Sequence, residues 1–320
     1  MEFSLDRYYK LNRLLLSVIG LWPYQSATNA WFQRVFAILF MIWGVIGQIA
    51  KMCMSELTMD FTLDCLPILV PTIGILLQFI DRIMINDKLK SLLDHIKADW
   101  ERTRSRNDIK IMRKYAASAR LITILFSFYV MMGVSVYIFI TTLPLILDVF
   151  LPLNETRSRE HPFHMEFFID EEKFFYLIRI QMYFIIVLII GTALANGTIF
   201  VVYTRHASGM FTILGCRAEK LFSERSSKVG RSIRRTEKEY RNIVLFVEDH
   251  RNVIQFVDII RSSYSFSLLG EYLFFMIVIG LTLVQVSVLH TKAGVHQFGV
   301  NPTLVVKIGF YSKSETSIRN

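Results

Sequence analysis

Five apolar runs, each long enough to cross a lipid bilayer, limit what this 320-residue chain can fold into. The hydrocarbon core of a bilayer requires about 20 predominantly apolar residues per helix. The runs span residues 35–52, 63–80, 121–147, 174–203 and 265–289. They predict an all-α polytopic membrane protein, a helical bundle with about five transmembrane helices.

The charge of the segments between these runs predicts their sides of the membrane. Residues 81–120 carry eleven Lys and Arg, and residues 204–262 carry twelve. Residues 148–173 carry only three, against seven Asp and Glu. Because basic loops stay in the cytoplasm, we expect the first two segments inside and the acidic loop outside. Alternation then places the N-terminal segment, residues 1–34, in the cytoplasm, ahead of a transmembrane domain over residues 35–289.

The net charge of +9 lies mostly in these loops, so it indicates membrane topology rather than a nucleic-acid surface. We therefore expect a lipid bilayer, and not nucleic acid, as a partner. The cytoplasmic loops also contain amphipathic helices that extend or cap the bundle, because apolar residues recur there at helical spacing. Those residues are Leu89, Leu92, Leu93, Ile96 and Trp100 in one loop, and Tyr240, Ile243, Val247, Ile254 and Val257 in the other. Residues 14–22 predict a further short helix on the inner membrane face.

The acidic loop holds an N-glycosylation acceptor, because Asn154 is followed by Glu155 and Thr156. It also holds His161 and His164, but a zinc site needs three or more converging ligands, so we expect no metal. We find no nucleophile–base set, no paired carboxylates on one helix and no glycine-rich phosphate loop. The sequence therefore predicts neither an enzyme nor a bound cofactor.

Two stretches carry a resemblance to a known family. Residues 11–25 read LNRLLLSVIGLWPYQ, and residues 249–285 read DHRNVIQFVDIIRSSYSFSLLGEYLFFMIVIGLTLVQ. In their order and spacing they resemble the N-terminus and the entry to the fifth helix of insect odorant receptors. The resemblance covers about residues 5–290. It implies a seven-helix subunit of an odorant-gated cation channel, assembled with a co-receptor subunit in the plasma membrane of olfactory sensory neurons.

The resemblance also implies a pocket for a small volatile apolar ligand in the outer half of the bundle. A dry cavity with apolar walls and one or two polar groups suits such a molecule. The candidate pocket residues lie on the second, third and fourth runs: Leu66, Val70, Tyr137, Ile138, Thr141, Ile178, Gln181, Met182 and Ile185. Ordinary helix packing is the alternative interpretation of each of them.

Two ionisable residues fall inside or at the edge of the apolar runs, where charge is costly. We expect Arg179 and Glu271 to reach the lipid headgroups near opposite ends of the bundle. The alternative is a role in gating, as part of an ion pair or a hydrated vestibule.

Residues 290–320 differ from the resembled family, because no run there is long enough to span a bilayer. We expect a receptor shortened before its sixth and seventh helices. Three other functions stay open: a gustatory-type relative of the same superfamily, a non-conducting fragment that binds partner subunits, and a G-protein-coupled receptor. The last requires the opposite orientation, which the loop charges disfavour.

Overall fold

A computed structural model describes residues 5–103, 105–150, 161–226 and 233–296, and this part of the chain is all helical apart from short connections. The tail after residue 296 and the acceptor Asn154 lie outside the described residues. The helices are α1 (Leu5–Val18), α2 (Ala27–Met54), α3 (Met59–Met84), α4 (Asn86–Arg102), α5 (Arg106–Phe150), α6 (Phe175–Ser226) and α7 (Ile233–His296).

The prediction of five membrane spans is confirmed for the described residues. α2, α3, α5, α6 and α7 each contain an apolar stretch long enough to cross a bilayer. α6 and α7 have 52 and 64 residues, which is about 78 and 96 Å of helix at 1.5 Å per residue. Since a bilayer core is only about 30 Å thick, both helices extend well beyond it. The apolar spacing at Tyr240–Val257 predicted this for α7, whereas no pattern predicted it for α6.

The N-terminal helix begins earlier and ends sooner than the sequence predicted, at Val18 rather than near residue 22. Gly20 terminates it by adopting a left-handed conformation with φ 74°. The Leu21 amide donates to the Leu16 carbonyl at 2.8 Å, and the Gly20 amide donates to the Ser17 carbonyl at 3.3 Å. This pair of bonds is a Schellman motif, which favours glycine at the left-handed position.

One end of the bundle contains α1 and α4, and the other contains the non-helical segment 161–174. Following the predicted orientation, we call these the inner end and the outer end. The inner end is held by a continuous core of 20 buried apolar residues drawn from all seven helices and from the connection after α1. Phe79, Leu92, Ile96 and Tyr203 are among its most completely buried members, each 1% exposed or less.

Charged side chains connect the helices around this inner core. Asp99 on α4 lies 2.9 Å from the ring Nε2 of His206 on α6. Arg217 on α6 pairs with Asp108 on α5 at 2.7 Å and with Asp249 on α7. Because each bond joins a different pair of helices, together they fix the relative positions of α4, α5, α6 and α7.

α6 is the central helix of the bundle, since it contacts α1, α2, α3, α5 and α7. In its most apolar stretch 44% of the residues are buried, against 6% in α5 and in α7. The outward faces of α5 and α7 carry large exposed apolar side chains such as Phe128, Phe139, Phe266 and Phe275. Such surface is compatible with lipid and not with water.

Candidate functional site: the outer end of α6

A small apolar cluster covers the outer part of α6. Ile178, Met182 and Ile185 follow one another at helical spacing and are at most 1% exposed. The segment between α5 and α6 contributes the other half of the cluster, namely Phe163, Met165 and Phe167. Three of the six buried residues of this cluster therefore come from the connection between α5 and α6 and not from a helix.

A lysine and a glycine of α2 anchor this covering segment, residues 161–168. The ammonium of Lys51 lies 3.2 Å from the Glu166 carboxylate and 3.3 Å from that of Glu171. The Glu166 amide donates to the Gly47 carbonyl at 2.9 Å. A Cβ added to Gly47 would lie 2.6 Å from atoms of the Met165 side chain and 3.0 Å from the Glu166 carbonyl oxygen. The close approach therefore requires a glycine at this position.

A polar cluster lies beside the apolar one, between α5 and α6. The Tyr183 hydroxyl is 2.9 Å from the hydroxyl of Thr141 and 2.8 Å from that of Thr142. The Arg179 Nε donates to the same Tyr183 hydroxyl at 3.0 Å, and its Nη2 donates to the Thr141 carbonyl. This network places hydroxyl groups and one cation next to an otherwise apolar surface.

Arg179 does not reach the lipid headgroups, so that expectation is wrong. Its side chain is buried, with only 4% exposed. The carbonyl and hydroxyl groups of its neighbours replace water around the guanidinium, and the Phe175 ring lies 5.6 Å from it. Burial of a cation is tolerated when hydrogen bonds of this kind satisfy it. Glu271, the other ionisable residue singled out, is exposed on α7.

The covering segment also holds two groups with shifted pKa values. Burial lowers the pKa of His161 below its ordinary 6.5, and the charges of Arg179 and Lys51 add to that effect while Glu171 opposes it. Burial opposes ionisation of Glu166, but hydrogen bonds from Lys51 and from the Phe168 amide outweigh it and lower its pKa overall. At neutral pH the segment therefore carries a neutral His161 and an ionised Glu166, and the latter is the one bonded to Lys51.

The structure brings most of the predicted pocket residues together. Ile178, Met182 and Ile185 belong to the apolar cluster, and Thr141 belongs to the polar one. Tyr137 donates from its hydroxyl to the Pro162 carbonyl at 2.7 Å, which ties α5 to the start of the covering segment.

The other four predicted pocket residues are not among the buried members of the apolar cluster. Ile138, Gln181, Leu66 and Val70 are half-buried. The α3 residue that packs against the apolar cluster is Ile68, which lies between the two that the sequence singled out.

Sequence reasoning missed the contribution of the covering segment. Phe163, Met165 and Phe167 alternate with His164 and Glu166, and this period of two is typical of an extended strand buried on one side. This alternation is the sequence signal that could have identified the segment as partly buried. Tyr183 was also missed, although it lies four residues after Arg179 and therefore on the same helical face.

Among the described residues, no group of three or more His, Cys, Asp or Glu could hold a metal ion. The two histidines of the outer segment contact aromatic rings instead. The His161 ring centroid lies 4.9 Å from that of Phe175, and that of His164 lies 5.2 Å from that of Phe61.

Five apolar spans around a central α6, with an apolar and hydroxyl-bearing site under a connecting segment, define a multi-pass helical membrane protein with a candidate small-molecule site. A sequence profile described as the 7tm Odorant receptor family matches residues 58–300. The chain belongs to this odorant receptor family, which also disfavours the gustatory-type alternative. A search of curated proteins by sequence found no match.

Solved structures support the fold. The insect olfactory receptor OR5 from Machilis hrabei in complex with eugenol matches with a TM-score of 0.57 and 15% identity, covering 84% of this chain and 68% of that one. A second structure of the same receptor matches with a TM-score of 0.58 and 13% identity, covering 87% and 70%. At such low identity these matches show that the folds are alike.

Proposed function

We propose that this chain is the ligand-binding subunit of a heteromeric odorant-gated cation channel, assembled with an odorant co-receptor in the plasma membrane of olfactory sensory neurons. The observation that carries the proposal is the placement of an apolar cluster and a hydroxyl network side by side on α6 under a non-helical cover. This combination suits a small, mostly apolar volatile molecule that offers one polar group. Membership of the odorant receptor family agrees with that ligand class.

The ligand acts by exchanging places with side chains of the cover. Because Met182 and Ile185 are fully buried, a molecule reaches them when Phe163, Met165 or Phe167 moves aside. Movement of the cover also strains the contacts of Lys51 with Glu166 and Glu171. A ligand that binds the displaced state more tightly shifts the population toward it, and this shift opens the channel.

Current recording tests the proposal. The full chain is expressed with an odorant co-receptor, and the current evoked by a panel of volatiles that includes eugenol is compared with that of the co-receptor alone. We expect responses that need both subunits. A persistent absence of current, with surface delivery verified, contradicts the channel role and favours a chain that binds partners without conducting.

A pair of methionine variants tests the location of the site. Met182→Ala leaves a cavity in the apolar cluster. We expect it to change the half-maximal concentration of an active odorant by about tenfold or more. Met276→Ala is the matched control, because Met276 on α7 is 66% exposed. Equal effects of the two variants would contradict a site at α6.

Glycosylation mapping tests the orientation. We expect Asn154 to be modified and an acceptor added before α1 to stay unmodified, because the N-terminus lies in the cytoplasm. The reverse pattern would support the G-protein-coupled alternative.

A further inference from the structure

A cleft at the inner end lies apart from the odorant site, between α1 and α4. Its volume is about 490 Å³, which lies within the range of about 300–1,000 Å³ that small-molecule sites occupy. The connection after α1 closes one side of the cleft with Trp22, and Leu93 of α4 contributes an apolar part of the wall.

Two cations line this cleft from different helices. Arg13 comes from α1 and Lys97 from α4, and both are exposed to solvent. Ser17 and Gln25 add uncharged polar groups to the same walls. A phosphate group accepts several charge-assisted hydrogen bonds. It therefore suits a cleft that two cations line from different helices and that hydroxyl and amide groups also line.

One carboxylate lies close to the cleft. Asp94, one turn before Lys97 on α4, accepts a hydrogen bond from the Tyr24 hydroxyl at 2.6 Å. Burial and this carboxylate together raise the pKa of Tyr24, so its hydroxyl stays protonated. Asp94 therefore opposes the binding of an anion at the cleft.

The surroundings of the cleft indicate where its ligand comes from. On α1, Leu14 and Val18 flank Arg13 and Ser17 in sequence, and they are 59% and 65% exposed. Large apolar side chains so exposed next to a cation are typical of a helix that lies in the membrane interface. The half-buried Trp22 at the cleft is the residue type enriched at that level.

We propose that this cleft binds the phosphorylated headgroup of an anionic lipid of the inner leaflet. The cations attract phosphate, and the exposed apolar side chains of α1 place the cleft beside the lipid chains. The proposal rests on the predicted orientation and not on the odorant site, so either can fail without the other.

A binding titration on the full chain, purified into phosphatidylcholine nanodiscs, tests the proposal. The probe is dioctanoyl phosphatidylinositol 4,5-bisphosphate, and inositol 1,4,5-trisphosphate serves as the free headgroup. We expect saturable binding of the lipid by the unchanged chain. Binding of the free headgroup with the same affinity would instead indicate a soluble phosphate ligand and overturn the lipid source.

Charge variants connect the binding to the cleft. We expect Arg13→Gln combined with Lys97→Gln to weaken binding by about thirtyfold, about 2 kcal/mol at 1.4 kcal/mol per tenfold. The matched control is Lys10→Gln with Lys90→Gln, which removes two exposed cations of the same helices that do not line the cleft. The control should change the affinity by less than about threefold.

Asp94→Asn gives an effect of the opposite sign. The amide oxygen still accepts from Tyr24 while the negative charge is gone, so we expect tighter binding by about threefold, which a misfolded variant would not show. Absence of saturable binding to the unchanged chain, or equal losses in the cleft variant and the control, would overturn the proposal.

Discussion

The two ends of this receptor are built differently. The inner end joins all seven described helices through 20 buried apolar residues and through the ion pairs of Arg217 between neighbouring helices. The outer end has a cluster of only six buried residues, and three of them come from the non-helical segment 161–168. From this difference in buried contacts we expect the cover to open locally at lower free energy than the inner frame.

The contacts that hold the cover in place are few. One lysine of α2 holds two carboxylates of the outer segment, and one glycine allows its backbone to approach. Loss of one of these contacts therefore removes a large part of what holds the cover, to which the Tyr137–Pro162 hydrogen bond also contributes. At the inner end the contacts are spread over all seven helices, so the loss of one lowers the stability of the whole frame rather than releasing one segment.

The largest expected effect comes from a cavity in the inner core. Phe79→Ala removes a fully buried ring of α3, and such truncations cost about 3–5 kcal/mol. We expect a marked fall in the temperature at which the detergent-solubilised receptor loses its monodisperse size-exclusion peak. Phe266→Ala, at a position 85% exposed, should leave that temperature nearly unchanged. Equal sensitivity at both positions would contradict an inner frame.

An effect of about 1–3 kcal/mol is expected where α2 meets the cover. Gly47→Ala forces its new Cβ against Met165 and the Glu166 carbonyl. We expect faster proteolysis within the outer segment while the thermal stability of the inner end is retained. Gly133→Ala on α5 is the control, because an added Cβ there meets no atom within 4 Å. Unchanged proteolysis in Gly47→Ala would show that the cover is not anchored there.

A somewhat smaller effect, about 1–2 kcal/mol, is expected from the hydroxyl network. Tyr183→Phe leaves the Arg179 Nε without its acceptor and both threonine hydroxyls without a partner on α6. We expect a change in the half-maximal odorant concentration with little change in surface expression. Tyr176→Phe, at a position 63% exposed, provides the comparison. If both variants respond like the unchanged receptor, the network has no part in binding.

The smallest effect is a pH dependence of the cover. The pKa of His161 is below 6.5 while the segment is docked. As pH falls through 6.5, His161 therefore takes up a proton in the open segment but not in the docked one. Opening therefore becomes easier below that pH. Glu166 acts in the same direction at lower pH, because its folded pKa is depressed and its contribution is lost as pH falls through that value. Hydrogen exchange of the segment at several pH values, with His161→Phe as the comparison, measures this effect.

The sequence was sufficient to predict the parts of the fold that follow from apolar runs or from helical spacing of apolar residues. Apolar runs predicted the five spans, and the spacing of Leu89, Leu92 and Ile96 predicted α4, where all three are buried. Capping was harder to predict, because the left-handed Gly20 ends α1 before the apolar run itself ends.

The candidate site could be predicted only in part, for a physical reason. Helical periodicity identifies the apolar face of α6, and Ile178, Met182 and Ile185 on that face lie in one buried cluster, while their part in ligand binding stays a prediction. The partner of that face is a connection whose path depends on one lysine and one glycine 115 or more residues away in the chain. Arg179 was assigned to the headgroups because its partner Thr141 lies on another helix.

Hydrogen–deuterium exchange of the receptor in nanodiscs, with and without an activating odorant, tests the central contrast between frame and cover most directly. We expect amides of residues 161–168 to exchange by local opening and those of α4 to exchange far more slowly. We also expect the odorant to change exchange at residues 161–185 and not in α4. Equal exchange at the two ends, or an odorant effect confined to the inner end, would contradict the account.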